Sequence, residues 1–319
     1  GGVLFPEEMI RRIKAYKNGT IEEAYKYGTE PSNQDVWTLY DKGWANTDWF
    51  GYFYDKNVPS HEHNLSVSGG SKNINYYVSG GFMNQKGLLK VADDHHNRFN
   101  LTAKVNAQIT KWLDLNYSLR WTREEYESPT YLYSGNGLFF HNIIRRWPTN
   151  AIKDPNGYIM PHNEALQLMD GGRTKREDDY TNQKLTFVAH PVKGLTIRAE
   201  NNFNTTTYFT HTEILPVYSY NKDKKPVVAK WDDWKPLGVS EVGEQAQKVN
   251  YFSGRYFAEY AREWGKHDFK VVGGLDLEVN KYRNLSGSKK DIITSEVPTL
   301  KTATNDKPSL SGGYYHWST

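Results

Sequence analysis

Tryptophan, tyrosine and arginine are the residues of this sequence best suited to recognising a ligand. Aromatic residues make up 14% of the chain, including 23 Tyr and 10 Trp. Aromatic faces stack on flat or apolar groups, and a guanidinium donates several hydrogen bonds at once. The alternative is that these side chains pack the loops against one another. The candidate contacts, all in expected loops, are Trp44, Trp49, Tyr131, Tyr133, Arg145, Arg146, Trp147, Trp231 and Trp234.

Residues that could catalyse a reaction or bind a metal are poorly arranged. The histidines of "HEH" (61–63) and "HH" (95–96) lack an acidic third ligand at a suitable spacing, so we expect no metal site. No Ser-His-Asp arrangement or carboxylate pair can be placed at one point, so we expect no enzyme activity and no cofactor. The chain has no cysteine, which excludes disulfides and thiolate sites. Its net charge of +3 is too small to indicate nucleic-acid binding.

The elements that must position these residues change character along the chain. Residues 1–62 form a loop region with short helices, since "PEEMIRRIKAYKNG" begins with Pro6 and acidic residues and ends at Gly19. From His63 the hydrophobic period becomes two, which indicates strands. In "RFNLTAKVNAQIT" every second residue from Phe99 is apolar. We expect eight strands, at 63–70, 74–84, 97–110, 112–127, 180–190, 195–211, 248–263 and 268–284.

The connections between these strands alternate between short and long. The short ones are "GSKN" (70–73), "ITKW" (109–112), "HPVKG" (190–194) and "EWGKH" (263–267). Short turns at one end and long loops at the other are typical of transmembrane β-barrels. The sequence therefore predicts an all-β fold, an antiparallel barrel segment with long, partly helical extracellular loops. The long loops are 128–178 and 212–247, and 291–319 begins a further one.

A soluble β-sandwich that binds carbohydrate is the alternative fold. Against it, charged residues lie in mid-strand on the polar faces, such as Arg98, Arg120 and Glu200, as expected for a water-filled lumen. Aromatic residues also lie near strand ends, at Trp112 and Trp264. If the short turns are periplasmic, the strand at 63–70 runs from the outside to the periplasm. The first strand of a barrel instead starts in the periplasm. We therefore expect an internal piece of a larger barrel.

Two quoted segments resemble the SusC/RagA family of TonB-dependent outer-membrane transporters. "NTDWF" (46–50) and "HNLSVSGGSKNINYYVSGGFMNQKGLL" (63–89) are similar to segments found early in the family's barrel. "HHNRFNLTAKVNAQITKWLDLNYSLRW" and "WPTNAIKDPNGYI" continue the resemblance. It runs through most of the chain and is most specific over 46–121.

The resemblance implies a barrel of about 22 strands with a plugged lumen in the outer membrane of a Gram-negative bacterium. It implies import of oligosaccharides or peptides, energised through TonB. A SusD-like lipoprotein would act as a lid, and outer-membrane lipid and lipopolysaccharide would surround the barrel. The family's plug domain has no counterpart in this chain. The nine loop residues named above would contact the substrate or the lid protein. A barrel hydrolase would need a nucleophile, a base and an orienting group at one rim, and the sequence offers no such set.

Overall fold

One large antiparallel sheet dominates the computed structural model, which describes residues 7–18, 45–133, 138–154, 156–160, 163–221, 223–229 and 239–319. Nine strands follow one another across this sheet, so each pairs with its sequence neighbour in the sheet. The antiparallel β architecture predicted from the alternating pattern is confirmed. These strands are β1 Ser60–Gly70, β2 Ile74–Lys86, β3 His95–Thr110, β4 Leu113–Pro129, β5 Arg173–Ala189, β6 Leu195–Ile214, β9 Glu241–Trp264, β10 His267–Lys290 and β11 Ser309–Ser318.

Smaller elements lie in the connections. A hairpin of β7 (Tyr218–Tyr220) and β8 (Pro226–Val228) lies between β6 and β9. The helices are α1 Glu7–Lys17, α2 Trp49–Phe53, α3 Thr130–Tyr133, α4 Leu138–Arg145 and α5 Ala165–Asp170. Within the described ranges, no helix is long and apolar enough to cross a membrane.

The structure has one strand more in the sheet than the sequence analysis expects. Residues 291–319 were expected to be loop, but Ser309–Ser318 pairs with β10, with Tyr315 opposite Tyr282. The segment is rich in Ser and Gly and has a weak β-propensity, so its sequence alone does not indicate a strand. Backbone hydrogen bonds to β10 stabilise it as one. Two strands also begin earlier in the sequence than expected. β5 begins at Arg173 rather than at 180, and β9 begins at Glu241 rather than at 248.

The register of the strands joins their apolar residues into one continuous surface. Leu65, Gly80, Leu101 and Trp121 lie directly opposite one another across β1 to β4, and the apolar residues of β5 to β10 continue the surface. We call this side the apolar face and the other the polar face. On the apolar face no Asp, Glu, Lys or Arg occurs within 65–69, 74–82, 99–107, 113–121, 181–189, 195–205, 252–260 or 269–279.

The charge-free band has the height of a bilayer. Residues 269–279 of β10 extend for about 25 Å along the membrane normal at about 3.3 Å per residue and a tilt of about 40°. Two polar side chains within the band accept hydrogen bonds from tyrosine. Tyr117 Oη donates to Gln183 Oε1 at 2.9 Å, and Tyr256 Oη donates to Asn201 Oδ1 at 2.6 Å. Such pairing is what a lipid environment requires of polar groups.

The sheet forms a single layer without a covering partner in the described part of the chain. Leu65 is 77% exposed and Leu275 is 59% exposed, although both lie in regular strands. A soluble sandwich would bury these side chains against a second sheet, and the β7–β8 hairpin is the one other described sheet. The buried hydrophobic cluster lies instead in the long loops. This arrangement argues against the soluble alternative.

Candidate functional site: the polar face and the loops that cap it

Charged side chains on the polar face form ion pairs both within and between strands. Lys184 Nζ lies 3.2 Å from Glu200 Oε2, and Arg198 Nη1 donates to Glu200 Oε1 at 3.3 Å. Glu200 is directly opposite Arg255, whose Nε donates to Asp276 Oδ1 at 2.9 Å. A cavity of 330 Å³ lies against these groups. The polar face therefore presents balanced charge to water, as the wall of an aqueous lumen does.

Nearer the long loops, the polar face carries an arginine held between two aromatic rings. The guanidinium carbon of Arg176 lies 5.8 Å from the ring centre of Tyr126 and 5.5 Å from that of Tyr208. Asp178 accepts from Arg176 Nε at 2.8 Å, and His96 stacks on Tyr126 with ring centres 4.3 Å apart. We call these five residues the Arg176 cluster. The side chain of Arg176 is 49% exposed and Tyr126 is 37% exposed, so a solute in the lumen could reach both.

The segment "NTDWF" (46–50) joins two loops. Asp48 caps α2 by accepting from the Gly51 amide at 3.0 Å. Thr47 Oγ1 donates to the Asn150 carbonyl at 2.7 Å, and Trp49 Nε1 donates to the Trp147 carbonyl at 2.9 Å. The buried cluster around this contact, which we call the loop cap, comprises Trp49, Phe53, Leu89, Tyr131, Leu132, Phe139, Ile143, Ala165 and Leu168.

A buried ion pair lies beside the loop cap. Arg146 and Glu164 form a salt bridge, and both side chains are only 3% exposed. The guanidinium carbon of Arg146 also lies 4.9 Å from the ring centre of Trp49. Burial raises the pKa of the Glu164 carboxyl, and the nearby Arg146 opposes this shift. The pair holds the start of α5 against the end of α4, and the contact of Arg146 with Trp49 joins both to α2.

A further cavity lies among the loops, between the start of β5 and the end of β6. It measures 740 Å³, within the range of ligand sites. Tyr158 and Tyr220 stack on its wall with ring centres 4.1 Å apart. Asp170 and Arg173 also line it, and burial raises the pKa of the Asp170 carboxyl. The combination of stacked rings with both charges suits a polar ligand that carries flat or apolar groups.

The structure separates the loop residues that the sequence analysis names. Trp49, Tyr131 and Arg146 are buried, with whole-residue exposures of 4%, 6% and 8%, which favours the loop-packing alternative for them. Arg145 is exposed and hydrogen-bonds His141, while Trp147 is half-buried. Tyr133 lies in α3. Trp44, Trp231 and Trp234 lie outside the described residues. Contact of any of the nine with a substrate or lid protein stays a prediction.

The sequence analysis missed the Arg176 cluster, although its signal was present. Tyr126 lies near the end of β4 and has the same parity as Arg120 and Thr122, which places it on the polar face. The start of β5 was assigned to a loop, which hid Arg176 and Asp178. Among the described side chains, no group of three or more His, Asp and Glu is arranged to hold a metal ion.

Comparison with known sequences finds TonB-dependent receptors. The chain is 27% identical to TonB-dependent receptor P26 of Formosa agariphila over 126 residues, which cover 39% of this chain and 11% of that protein. It is 23% identical to TonB-dependent receptor P3 of the same organism over 81% of this chain and 25% of the relative. It is also 23% identical to TonB-dependent receptor SusC of Bacteroides thetaiotaomicron over 80% of this chain and 26% of SusC. No protein-family model matches the chain.

Comparison with solved structures finds the same kind of protein. The RagAB peptide importer in its closed-closed state aligns with a TM-score of 0.68 and 19% identity, covering 98% of this chain and 36% of that chain. Its open-open state gives a TM-score of 0.66. The resemblance to SusC/RagA-type transporters and the barrel-segment fold predicted from the sequence are therefore confirmed. The chain spans 11–26% of the length of these curated relatives.

Proposed function

We propose that this chain is part of an outer-membrane TonB-dependent importer of oligosaccharides or peptides that works with a SusD-like surface lipoprotein. The observation that carries the proposal is the division of one nine-stranded layer into an apolar face with a charge-free band and an ion-paired polar face. Such a layer is stable where lipid covers one face and water the other. The relatives are named as receptors and importers, which supports transport rather than catalysis.

The substrate path of the proposal follows the polar face. The Arg176 cluster lies on this face, between the ion pairs of mid-strand and the long loops. Its tyrosines offer stacking surfaces to sugar rings or peptide side chains, and Arg176 offers donors to hydroxyl or carboxylate oxygens. The loop cap holds the outer loops in a fixed arrangement, which gives a lid lipoprotein a stable surface to close on.

The first test concerns the membrane assignment. The whole transporter, purified in detergent, is run on a gel with and without boiling, because folded barrels migrate differently from unfolded ones. We expect a shift on boiling and recovery of the protein in the membrane fraction. Identical migration together with absence from membranes would reject the barrel and restore the soluble carbohydrate-binding module.

The second test concerns the substrate path. Cells that express the whole transporter and its lipoprotein are given labelled oligosaccharides or oligopeptides. We expect Tyr126→Ala combined with Tyr208→Ala to lower uptake roughly tenfold, since each stacking contact contributes about 0.5–1.5 kcal/mol. Tyr76→Ala on the apolar face is the control and leaves uptake unchanged. Equal uptake by both variants would remove the cluster from the path.

A further inference from the structure

The apolar face carries uncompensated positive charge where its charge-free band ends toward the long loops. Lys281 and Arg283 follow the band 269–279 on the same side of β10. Lys248 lies directly opposite Arg283, and His316 lies directly opposite Lys281. All four side chains are exposed. We call these residues the basic patch.

The two directly opposed cations of this patch repel each other. Cβ atoms of opposed residues in an antiparallel pair are about 5 Å apart, and like charges there are destabilising. Among the described residues, no carboxylate lies within ion-pairing distance of Lys248 or Arg283. The nearest acid along the row, Asp179, is held by Arg123 through contacts of 3.0 and 2.7 Å. An anion bound between the cations would remove this repulsion.

The surroundings of the patch fit an amphiphile. A cavity of 570 Å³ lies beside Lys248 and Arg283, with walls that include Phe209, Leu285 and Tyr314. On the other side of the cations, the apolar band 252–260 and 269–279 provides a surface for acyl chains. Aromatic rings next to cations suit a sugar that bears phosphate.

We infer that the basic patch binds the phosphorylated headgroup of a glycolipid in the outer leaflet of the membrane. This inference rests on the proposed function, because it requires the apolar face to be in lipid. Lys248 and Arg283 contact phosphate oxygens, Lys281 adds charge, and the sugar lies over Phe209 and Tyr314. Basic residues at a membrane surface each contribute about 1 kcal/mol toward anionic lipid.

The test uses the whole transporter in detergent and native mass spectrometry. The protein is mixed with purified lipid A that bears two phosphates, or with the same lipid after enzymatic removal of both. We expect wild type to retain lipid A, and Lys248→Gln combined with Arg283→Gln to weaken retention roughly tenfold or more. The matched control is Lys104→Gln with Arg120→Gln, which removes equal charge from the polar face and retains the lipid.

Three outcomes would overturn the inference. Equal retention of the dephosphorylated lipid would show that acyl chains alone bind. Displacement of lipid A by millimolar inorganic phosphate would identify a free-phosphate site rather than a lipid site. Equal loss in the control pair would indicate a general charge effect. Failure of the proposed function is recognised separately, because then even wild type shows no shift on boiling.

Discussion

At the scale of single residues, the motif that most resembles SusC/RagA proteins has a packing role. Asp48 ends the preceding extended segment by capping α2, and Trp49 fills the loop cap. Thr47 and Trp49 each donate to a carbonyl about a hundred positions later in the chain. The motif therefore holds together two loops that are distant in sequence. Each of its residue types has its own part in this contact, within one short segment.

Truncating this motif will loosen the loop cap. We expect Trp49→Ala to lower the free energy of unfolding of the cap by about 3–5 kcal/mol, because it removes a buried indole and leaves a cavity. Phe50→Ala, in the same helix but 56% exposed, should cost about 1 kcal/mol or less. Pulse proteolysis of the loops in a urea series measures both. Equal losses would mean that Trp49 is not anchoring the cap.

The stability of the loops should also depend on pH. Burial raises the pKa of Asp94, Asp154, Glu164 and Asp170. A carboxyl whose folded-state pKa exceeds its unfolded value contributes stability below the unfolded pKa, about 4 for these residues, and loses it as pH rises through the folded pKa. We therefore expect the loops to become more susceptible to protease as pH rises from 4 through that range, by an amount that depends on each shift.

Asp170 gives the cleanest single-site check of this dependence, since burial is the cause of its raised pKa. Asp170→Asn should leave protease resistance unchanged near pH 4 and increase it at neutral pH, where the wild-type carboxylate is charged in a partly desolvated position at the end of α5. Glu296→Gln removes a carboxyl from an exposed loop position and serves as the control. A loss of resistance at neutral pH in Asp170→Asn would contradict the argument.

At the scale of elements, the alternating pattern carries the information about strands and faces. Because side chains alternate strictly, an apolar–polar pattern assigns each residue to a face without knowledge of its neighbours. In β10, for example, this rule assigns Phe269, Val271 and Leu275 to the apolar face. It could not reveal β11, whose segment is short and rich in Ser and Gly, since its stability comes from pairing with β10. Propensity in strands depends on such partners.

The loops show the limit of local pattern more clearly. Arg146 and Glu164 meet in a buried pair although the segment 147–163 separates them in sequence, and Phe139 packs against Phe53 of another loop. The contact of Phe139 with Phe53 depends on how the sheet places the loop ends, because Phe53 precedes β1 whereas the loop that carries Phe139 joins β4 to β5. The sequence analysis named Trp49, Tyr131 and Arg146 as possible ligand contacts because aromatic and guanidinium groups serve equally for binding and for packing.

Charge should be tolerated on one face of a strand and not on the other. Leu275→Arg, in the middle of the charge-free band, should destabilise the folded barrel by about 2–4 kcal/mol. Ser253→Arg lies on the polar face opposite Glu278 and should change stability by about 0.5 kcal/mol or less. The fraction of protein that shifts on boiling after refolding into lipid vesicles measures both. Similar losses for the two variants would argue against a lipid-facing side.

At the scale of the whole molecule, stability is divided between two environments. The sheet has no protein layer on its apolar face in the described ranges, so under the proposed function lipid covers the side chains of that face. The loop cap and the Arg146–Glu164 pair form an ordinary buried core outside the band. We therefore expect the sheet and the loops to unfold separately when detergent is removed, because different contacts stabilise each of them.

The two faces can be mapped directly because this chain has no cysteine. Single cysteines placed from 275 to 283 along β10 of the whole transporter would be the only thiols that this region contributes. In intact cells a membrane-impermeant maleimide should label positions 276, 278 and 280, which face the polar side, and spare 275, 277 and 279, which face lipid. At 281 and 283 labelling should return, because these positions lie beyond the band.

The alternation tests which side faces water, and the change after 279 locates the outer membrane surface. Uniform labelling across 275–280 would mean that water reaches both faces and that the sheet does not line a barrel.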